Sequence, residues 1–218
     1  MKPYIFLNLK TYEQATGENA LNLAKIAQKV AAEGKADIIV IAQAVDIRLL
    51  VDETKVLVFA QHADLESYGA HTGKVTLEAI KQAGAAGVMI NHSEDRMDMD
   101  SIKKMAKRCK ELEIPMLVCV ANLEEAKTVT KLKPEYIAYE DPELIGSGKA
   151  ITKQNPDGVM KFAELVKGKT ISLCGAGISS GIDFVKALEM GCNGVLLASA
   201  FTKAEDPEEM LMKFAGVK

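Results

Sequence analysis

Short apolar runs alternate along this chain with longer amphipathic stretches, and the alternation predicts an α/β fold. The apolar runs are continuous rather than alternating in polarity, which is typical of parallel strands that are buried on both faces. Between the runs, apolar side chains recur at helical spacing, as Leu23, Ala27 and Val30 do. The pattern predicts strands at residues 4–9, 37–41, 55–60, 87–90, 115–120, 136–139, 170–174 and 194–198.

Eight strand–helix units favour closure of the sheet into a (β/α)8 barrel, because a closed sheet has no exposed edge. An open, doubly wound sheet is the alternative that the strand pattern leaves. The 218 residues fall short of the ~250 that are typical of such barrels. We therefore expect one domain over residues 1–218, an α/β barrel with shortened helices.

Composition and charge narrow the classes of function. Hydrophobic residues make up 48% of the chain and charged residues 26%, as in ordinary soluble domains. The formal net charge of −3 argues against a nucleic-acid-binding surface. The first residues lack the apolar region of a signal peptide and no apolar run reaches membrane-spanning length, so we expect neither a secretory leader nor a membrane span. Unpaired cysteines inside apolar segments predict buried free thiols in a reducing compartment. We expect a cytoplasmic protein with no membrane and no nucleic-acid partner. The cysteines are Cys109, Cys119, Cys174 and Cys192.

In parallel barrels, the chemistry is carried at the carboxyl ends of the strands and in the loops that follow them. Polar and small residues just after the predicted strands are therefore the candidates for a site. They are Asn8, Lys10, Gln61, His62, Asn91, His92, Ser93, Glu94, Glu140, Gly175, Ala176, Gly177, Ala198 and Ser199.

The segment after the sixth strand combines a candidate base with a candidate lid. Glu140 ends the apolar run, Pro142 stiffens the exit, and Gly146 and Gly148 give the backbone freedom to move. A strand-end glutamate before a turn is also compatible with a plain solvated residue. The spacing predicts a lid on two hinges that closes over the strand end.

His92 and Lys10 each have a chemical and an ordinary interpretation. A helix that begins near Ser93 would keep the imidazole of His92 neutral through its N-terminal dipole, but a polar core histidine fits the pattern equally. Lys10, two residues after Asn8, would hold an anionic substrate as a point charge, although a lone lysine is more often a surface residue.

A glycine-rich stretch at residues 175–181 follows the seventh strand and predicts an anion site. Backbone N–H groups at such a turn bind phosphate without side chains, and barrels commonly place a phosphate at the loops after strands 7 and 8. A dinucleotide fingerprint would lie in the first βα unit instead, so a small phosphorylated substrate fits better.

The three histidines lack ligand spacing, so no metal site is predicted. Nucleophilic serine or cysteine chemistry is not indicated either, because no GxSxG motif is present and the cysteines lie inside elements. Cys174, at the end of the seventh strand, is the one exception to test.

Taken in chain order, these motifs resemble those of the triosephosphate isomerase family, and in particular its shorter archaeal branch. The resemblance runs over essentially the whole chain. The loop after the eighth strand and residues 142–144 match that branch rather than the longer members. The motifs are Asn8-Leu9-Lys10, Ala60-Gln61, residues 69–73, Asn91-His92-Ser93-Glu94, Tyr139-Glu140 with Pro142, residues 145–148, Gly175-Ala176-Gly177 and Ala198-Ser199.

The resemblance implies an isomerase that interconverts dihydroxyacetone phosphate and D-glyceraldehyde 3-phosphate through an enediolate, in glycolysis and gluconeogenesis, without a cofactor. By matched position, Glu140 is implied as the general base, His92 as the neutral electrophile and Lys10 as the cation that favours the enediolate. Asn8 is implied in substrate binding, and Glu94 in positioning Lys10. The implied phosphate contacts are backbone N–H groups of Ile145 or Gly146, Gly177, Ala198 and Ser199.

The resemblance also implies a homotetramer, because the archaeal branch is typically tetrameric, with a dimer as the fallback. Another phosphosugar isomerase or epimerase and a non-catalytic phosphate-sensing barrel are the alternatives. An aldolase would need a Schiff-base lysine on a central strand, and the interiors of the predicted strands hold none.

Overall fold

The protein, described here by a computed structural model over residues 2–145 and 149–216, is built around a closed barrel of parallel strands. The strands follow one another around the barrel in chain order. The predicted eight-stranded barrel is therefore confirmed, and the open sheet is wrong. The strands are β1 (Tyr4–Asn8), β2 (Asp37–Ala42), β3 (Leu57–Ala60), β4 (Gly87–Ile90), β5 (Met116–Val120), β6 (Tyr136–Tyr139), β7 (Ile171–Cys174) and β8 (Gly194–Leu197).

The barrel closes between its first and last strands. Ile5 pairs with Val195 in parallel register. Gly194 lies directly against the carbonyl of Tyr4, where a Cβ atom would collide with the oxygen, so glycine permits the close approach of the two strands. Because all neighbouring strands are parallel, their carboxyl ends lie on one rim.

Helices connect successive strands and pack around the barrel. Asp98, Asn122 and Asp206 each fix a helix start by accepting a hydrogen bond from the backbone N–H three residues further on. In the described parts of the chain, no helix is long and apolar enough to cross a membrane. The helices are α1 (Glu18–Ala32), α2 (Ile47–Glu53), α3 (Leu77–Gln82), α4 (Met99–Glu111), α5 (Leu123–Thr130), α6 (Ile151–Gln154), α7 (Pro156–Val166), α8 (Gly181–Glu189), α9 (Ser199–Thr202) and α10 (Pro207–Ala215), with 3-10 turns at Glu13–Ala15 and Pro142–Leu144.

Some helices differ from the pattern that the sequence predicts. The helix after β4 begins at Met99, where Asp98 caps it, so the predicted start near Ser93 is wrong. After β6, the helical segment is divided at Asn155, because Pro156 has no N–H with which to continue the hydrogen bonds of α6. The short α9 was not predicted, since four residues are too few to show a helical period.

Aromatic rings fill one end of the barrel interior. Tyr4 and Tyr136 begin their strands, so this end is the amino-terminal one. The rings of Phe6, Phe59 and Tyr136 meet edge to face, with centroids 5.0 to 5.9 Å apart. Side chains therefore fill the barrel interior at its amino-terminal end, and a substrate site is to be expected at the carboxyl-terminal rim.

Gly87 begins β4 beneath the ring of Phe59, where a Cβ atom would overlap the ring. We expect Gly87→Ala to lower the free energy of unfolding by about 1–3 kcal/mol, the usual cost of overpacking a core. Urea denaturation measures this loss. Phe59→Leu makes room for the added methyl group, so the double variant should lose less than the sum of the two single variants. Strictly additive losses would show that the clash is not the cause.

Candidate active site

A cavity of about 270 Å³ opens at the carboxyl-terminal rim of the barrel. Glu94 lies next to the cavity, where its Oε1 accepts a hydrogen bond from Nζ of Lys10. The predicted hinge glycines, Gly146 and Gly148, lie outside the described residues. The other predicted catalytic and substrate-binding residues all line the cavity. They are Asn8, Lys10, His92, Glu140, Ile145, Gly177, Ala198 and Ser199.

The carboxylate of Glu140 is buried immediately after β6. Its backbone N–H donates to the carbonyl of Val120 at 3.0 Å, which fixes the residue against β5. Within residues 2–145 and 149–216, the shielded Oε2 atom of Glu140 has no hydrogen-bond partner. Gly175 makes room for this side chain, because a Cβ atom there would lie 2.6 Å from Oε1 of Glu140. A buried polar atom without a partner is costly, and proteins retain such atoms where function requires them.

His92 faces this carboxylate with its Nε2 atom, which lies 3.6 Å from Oε2 of Glu140. The other ring nitrogen, Nδ1, accepts a hydrogen bond from the backbone N–H of Glu94 at 3.2 Å. Because Nδ1 is an acceptor, this hydrogen bond assigns the ring proton to Nε2 and leaves the imidazole neutral. The neutral form therefore depends on the Glu94 amide and not on the helix start that the sequence predicted.

Lys10 directs its ammonium group into the cavity from a left-handed backbone conformation, with φ of +51°. Asn8 Oδ1 accepts from the Lys10 N–H at 3.0 Å, and Gln61 Nε2 donates to the Lys10 carbonyl at 2.8 Å. The Nζ atom lies 2.7 Å from Oε1 of Glu94, and 10% of the Lys10 side chain is exposed. A non-glycine residue in this conformation costs about 1–3 kcal/mol, and such strain clusters at functional sites.

Cys119 of β5 lies inside the barrel close to Glu140. Burial, and then the charge of Glu140, raises the pKa of this thiol well above its ordinary value, so Cys119 meets the carboxylate as a neutral group. No pattern in the sequence marks Cys119 as a neighbour of the site, because a cysteine inside an apolar run behaves as one more small apolar side chain.

The predicted free thiols are present, and all four cysteines are buried. A hydrogen bond with Cys192, together with burial, raises the pKa of Cys174 well above its ordinary value. A protonated, buried thiol is a poor nucleophile, so Cys174 does not act as the nucleophile that its strand-end position suggested.

The loops after β7 and β8 present backbone N–H groups to the cavity. Gly177 has a left-handed φ of +69°, and Ser199 begins α9 after Ala198. Among the described residues, the N–H groups of Gly177 and Ser199 find no protein acceptor. Amides that are free in this way can hold an anion without a charged side chain.

Asp183 of α8 holds the first of these loops in shape. Its Oδ2 accepts from the backbone N–H groups of Ser179 and Ser180, at 3.3 and 3.1 Å. Its Oδ1 lies 2.9 Å from Nζ of Lys153, and 1% of the Asp183 side chain is exposed. Burial raises the pKa of Asp183, but the hydrogen bonds from Lys153, Ser180 and Ser179 outweigh it and lower that pKa below its usual value.

The segment that follows the predicted lid, from Lys149 to Ile151, packs against the loop after β7. The Ile151 N–H donates to the Ala176 carbonyl at 3.1 Å. Gly177 lies so close to the Lys149 carbonyl that a Cβ atom would overlap it. Together with the ion pair between Lys153 and Asp183, these contacts join the segment from Lys149 onward to the loop after β7.

Two residues of the cavity wall, Tyr12 and Lys203, were missed by the sequence reasoning. Tyr12 lies two residues beyond Lys10. Lys203 is separated from the end of β8 by the unpredicted α9, so a search restricted to strand ends passes over it.

The arrangement supplies a proton acceptor, a neutral hydrogen-bond donor, a cation and free amides around one cavity. These groups suit proton transfer next to a carbonyl in a small anionic substrate. In the part of the chain that the structure describes, no group of three or more His, Cys, Asp or Glu side chains is placed to hold a metal ion.

Comparison with known proteins gives one consistent family. The family model described as triosephosphate isomerase matches residues 3–215. A triosephosphate isomerase of Methanothermus fervidus is 45% identical over 215 residues, which are 96% of each chain. That of Methanocaldococcus jannaschii is 43% identical, over 95% of this chain and 96% of the relative. That of Archaeoglobus fulgidus is 38% identical, over 98% and 97%.

A solved structure shares the architecture at lower sequence identity. The crystal structure of a triosephosphate isomerase from Bartonella henselae superposes with a TM-score of 0.75 and covers 98% of this chain and 99% of its own. At 20% identity, this likeness shows the fold alone.

The lowered pKa of Asp183 has a consequence for stability. A carboxylate whose pKa is lower in the folded state stabilises the protein above its unfolded pKa, and this contribution is lost as the pH falls through the folded pKa. At pH 7, we expect Asp183→Asn to lower the free energy of unfolding by about 2 kcal/mol, since charged hydrogen bonds are lost. As the pH falls below the ordinary aspartate pKa of 3.8, the difference from wild type should shrink. Urea denaturation between pH 3 and pH 7 measures both, and a pH-independent difference would contradict the ionised role of Asp183.

Proposed function

The chain belongs to the triosephosphate isomerase family and interconverts dihydroxyacetone phosphate and D-glyceraldehyde 3-phosphate, and from this premise we propose how its own residues carry the reaction. The observation that supports the proposal most directly is the Oε2 atom of Glu140, which has no hydrogen-bond partner within residues 2–145 and 149–216 and lies 3.6 Å from Nε2 of a neutral His92. This carboxylate is the general base. It removes a proton from the carbon next to the substrate carbonyl and returns it to the adjacent carbon.

His92 and Lys10 stabilise the charge that develops on the substrate oxygens. The Nε2–H of His92 donates to the enediolate oxygen, because Nδ1 is occupied by the Glu94 amide. The substrate hydroxyl proton must also pass to the former carbonyl oxygen to complete the isomerisation, and we propose that Nε2 of His92 relays it. The ammonium group of Lys10, which Glu94 positions at 2.7 Å, adds a positive charge in a partly buried site where electrostatic stabilisation is strong. Asn8 orients Lys10 through its backbone and forms part of the substrate cavity.

The phosphate group binds at the other side of the cavity. Free backbone N–H groups of Gly177 and Ser199, with Ala198 beside them, support this assignment. Ile145 lines the cavity from the lid segment, and we propose that it and Gly146 complete the phosphate contacts. The carbonyl acidifies the transferred proton, so the proposed mechanism uses no cofactor. A phosphate-sensing barrel would have no use for a buried carboxylate whose Oε2 atom has no hydrogen-bond partner among the described residues.

We further propose that residues 1–218 act as one catalytic domain in glycolysis and gluconeogenesis, in the cytoplasm. The buried free thiols support the location, because free cysteines are typical of a reducing compartment.

We also propose assembly into a homotetramer, with a dimer as the fallback. Large apolar side chains are exposed on two separate surfaces: Val45 and Tyr68 in the loops after β2 and β3, at 81% and 66%, and Ile182 and Val185 on α8, at 67% and 51%. A tetramer built from paired dimers uses two such surfaces on each chain.

Glu140→Gln tests the assignment of the base. The amide keeps the shape of the side chain but does not accept the proton, so we expect kcat to fall by about 10²–10⁴-fold or more in a coupled isomerase assay. Glu143→Gln is the matched control, because it removes a carboxylate from the exposed 3-10 turn three residues away. Equal activity of Glu140→Gln and wild type would overturn the mechanism, and an inactive wild type would overturn the isomerase function itself.

The assembly is tested by light scattering coupled to size-exclusion chromatography. We expect four times the mass of one chain for the wild type. Val45→Asp and Ile182→Asp place a charge on one exposed surface each, and each should yield a smaller assembly, since burial of an unpaired carboxylate opposes association. A wild-type protein that elutes as a monomer would refute the proposed assembly.

A further inference from the structure

Lys203 is a second lysine in the wall of the cavity, and the proposed chemistry has not used it. It follows α9 directly, and its backbone N–H donates to the carbonyl of Ser199 at 3.0 Å. The backbone of Lys203 is therefore tied to the loop whose amides face the phosphate.

The ring of Tyr12 supports the ammonium group of Lys203, whose Nζ lies 4.1 Å from the ring centroid. Tyr12 is itself fixed, because its carbonyl accepts from Ala15 N and Thr16 Oγ1, at 2.9 Å each. Its ring packs against the apolar layer outside the barrel. An aromatic face attracts a cation but does not neutralise it, so the charge is oriented and remains available to a ligand.

The two lysines of the cavity differ in their counter-charges. Lys10 forms an ion pair with Glu94 at 2.7 Å. Across the residues that the structure describes, no carboxylate forms an ion pair with Lys203. The uncompensated positive charge of the cavity therefore lies beside Ser199, on the phosphate side, and not beside the reacting carbons.

We propose that Lys203, held on Tyr12, recognises the phosphate dianion of the substrate and draws it into the cavity. A phosphate monoester carries a charge of about −1.5 to −2 at pH 7, whereas the whole chain has a formal net charge of −3. A local cation at the cavity mouth offsets this repulsion and raises the rate of encounter. The proposal deepens the proposed function, on which it rests: Lys10 serves the enediolate and Lys203 serves the phosphate.

Lys203→Gln separates this role from catalysis. We expect the KM for D-glyceraldehyde 3-phosphate to rise about tenfold while kcat stays within about twofold, because the interaction is made equally with bound substrate and transition state. The fall of kcat/KM with ionic strength should also become shallower, since screening weakens the attraction that the variant has lost.

Matched variants isolate the location of the charge and the role of the ring. Lys161→Gln removes one exposed lysine of α7 and should behave as wild type. Lys203→Arg should retain the low KM, because arginine also stacks on aromatic faces and binds phosphate. Tyr12→Phe keeps the aromatic face under Lys203 and should change the KM little, whereas Tyr12→Leu removes that face and should reproduce part of the rise in KM. Slow turnover of unphosphorylated D-glyceraldehyde should be the same in Lys203→Gln and wild type, which a general structural defect would not allow.

An active wild type with an unchanged KM and salt dependence in Lys203→Gln would overturn the role of Lys203 and leave the isomerase function intact. A fall in kcat at constant KM would overturn it as well. Titration of inorganic phosphate by calorimetry tests Lys203 without turnover. Binding should weaken about tenfold in Lys203→Gln relative to Lys161→Gln, and equal affinities would refute the proposal even if the wild type had no isomerase activity.

Discussion

The pairing of β1 with β8 is the constraint on which the whole site depends. The groups of the cavity come from residues as far apart in the chain as Asn8 and Ser199, and only closure of the sheet makes the first and last strands neighbours. Gly194 allows that approach, because it has no side chain to strike the Tyr4 carbonyl. Closure in parallel register then places every strand end on one rim. The chemistry is thus a consequence of the topology.

In the cavity, one carboxylate oxygen is free of hydrogen bonds from the described residues, and the groups around it are neutral or paired. The Oε2 atom of Glu140 has no donor among the described residues, so no hydrogen bond competes for it. Cys119 remains a protonated thiol, and the Glu94 amide holds His92 in its neutral form. The charge of Lys10 is balanced by Glu94. Such fixed groups need no rearrangement when charge develops on the substrate.

The sequence predicted the barrel well, because continuous apolar runs mark parallel strands and polar residues mark their ends. Glu140 and His92 became candidates for that reason, and the structure places both in the wall of one cavity. The predicted start of α4 near Ser93 was wrong, since a helix is expected soon after a strand but here the helix begins only after its N-cap residue, Asp98. Cys119 was hidden inside an apolar strand, and Lys203 behind a helix too short to show a period. Contacts between distant segments, such as that of Ile151 with Ala176, have no local pattern to reveal them.

The contact between Gly177 and the Lys149 carbonyl also limits how this enzyme can change through evolution. No side chain fits at position 177, because a Cβ atom would overlap that oxygen and the left-handed φ of +69° disfavours one. The loops that follow β6 and β7 are therefore not independent modules. An insertion near Lys149 that displaced its carbonyl would remove the support of the turn at residues 175–180, and a longer turn there would displace the segment that begins at Lys149. The two loops can therefore lengthen or shorten only together, and a change of length in one needs a compensating change in the other.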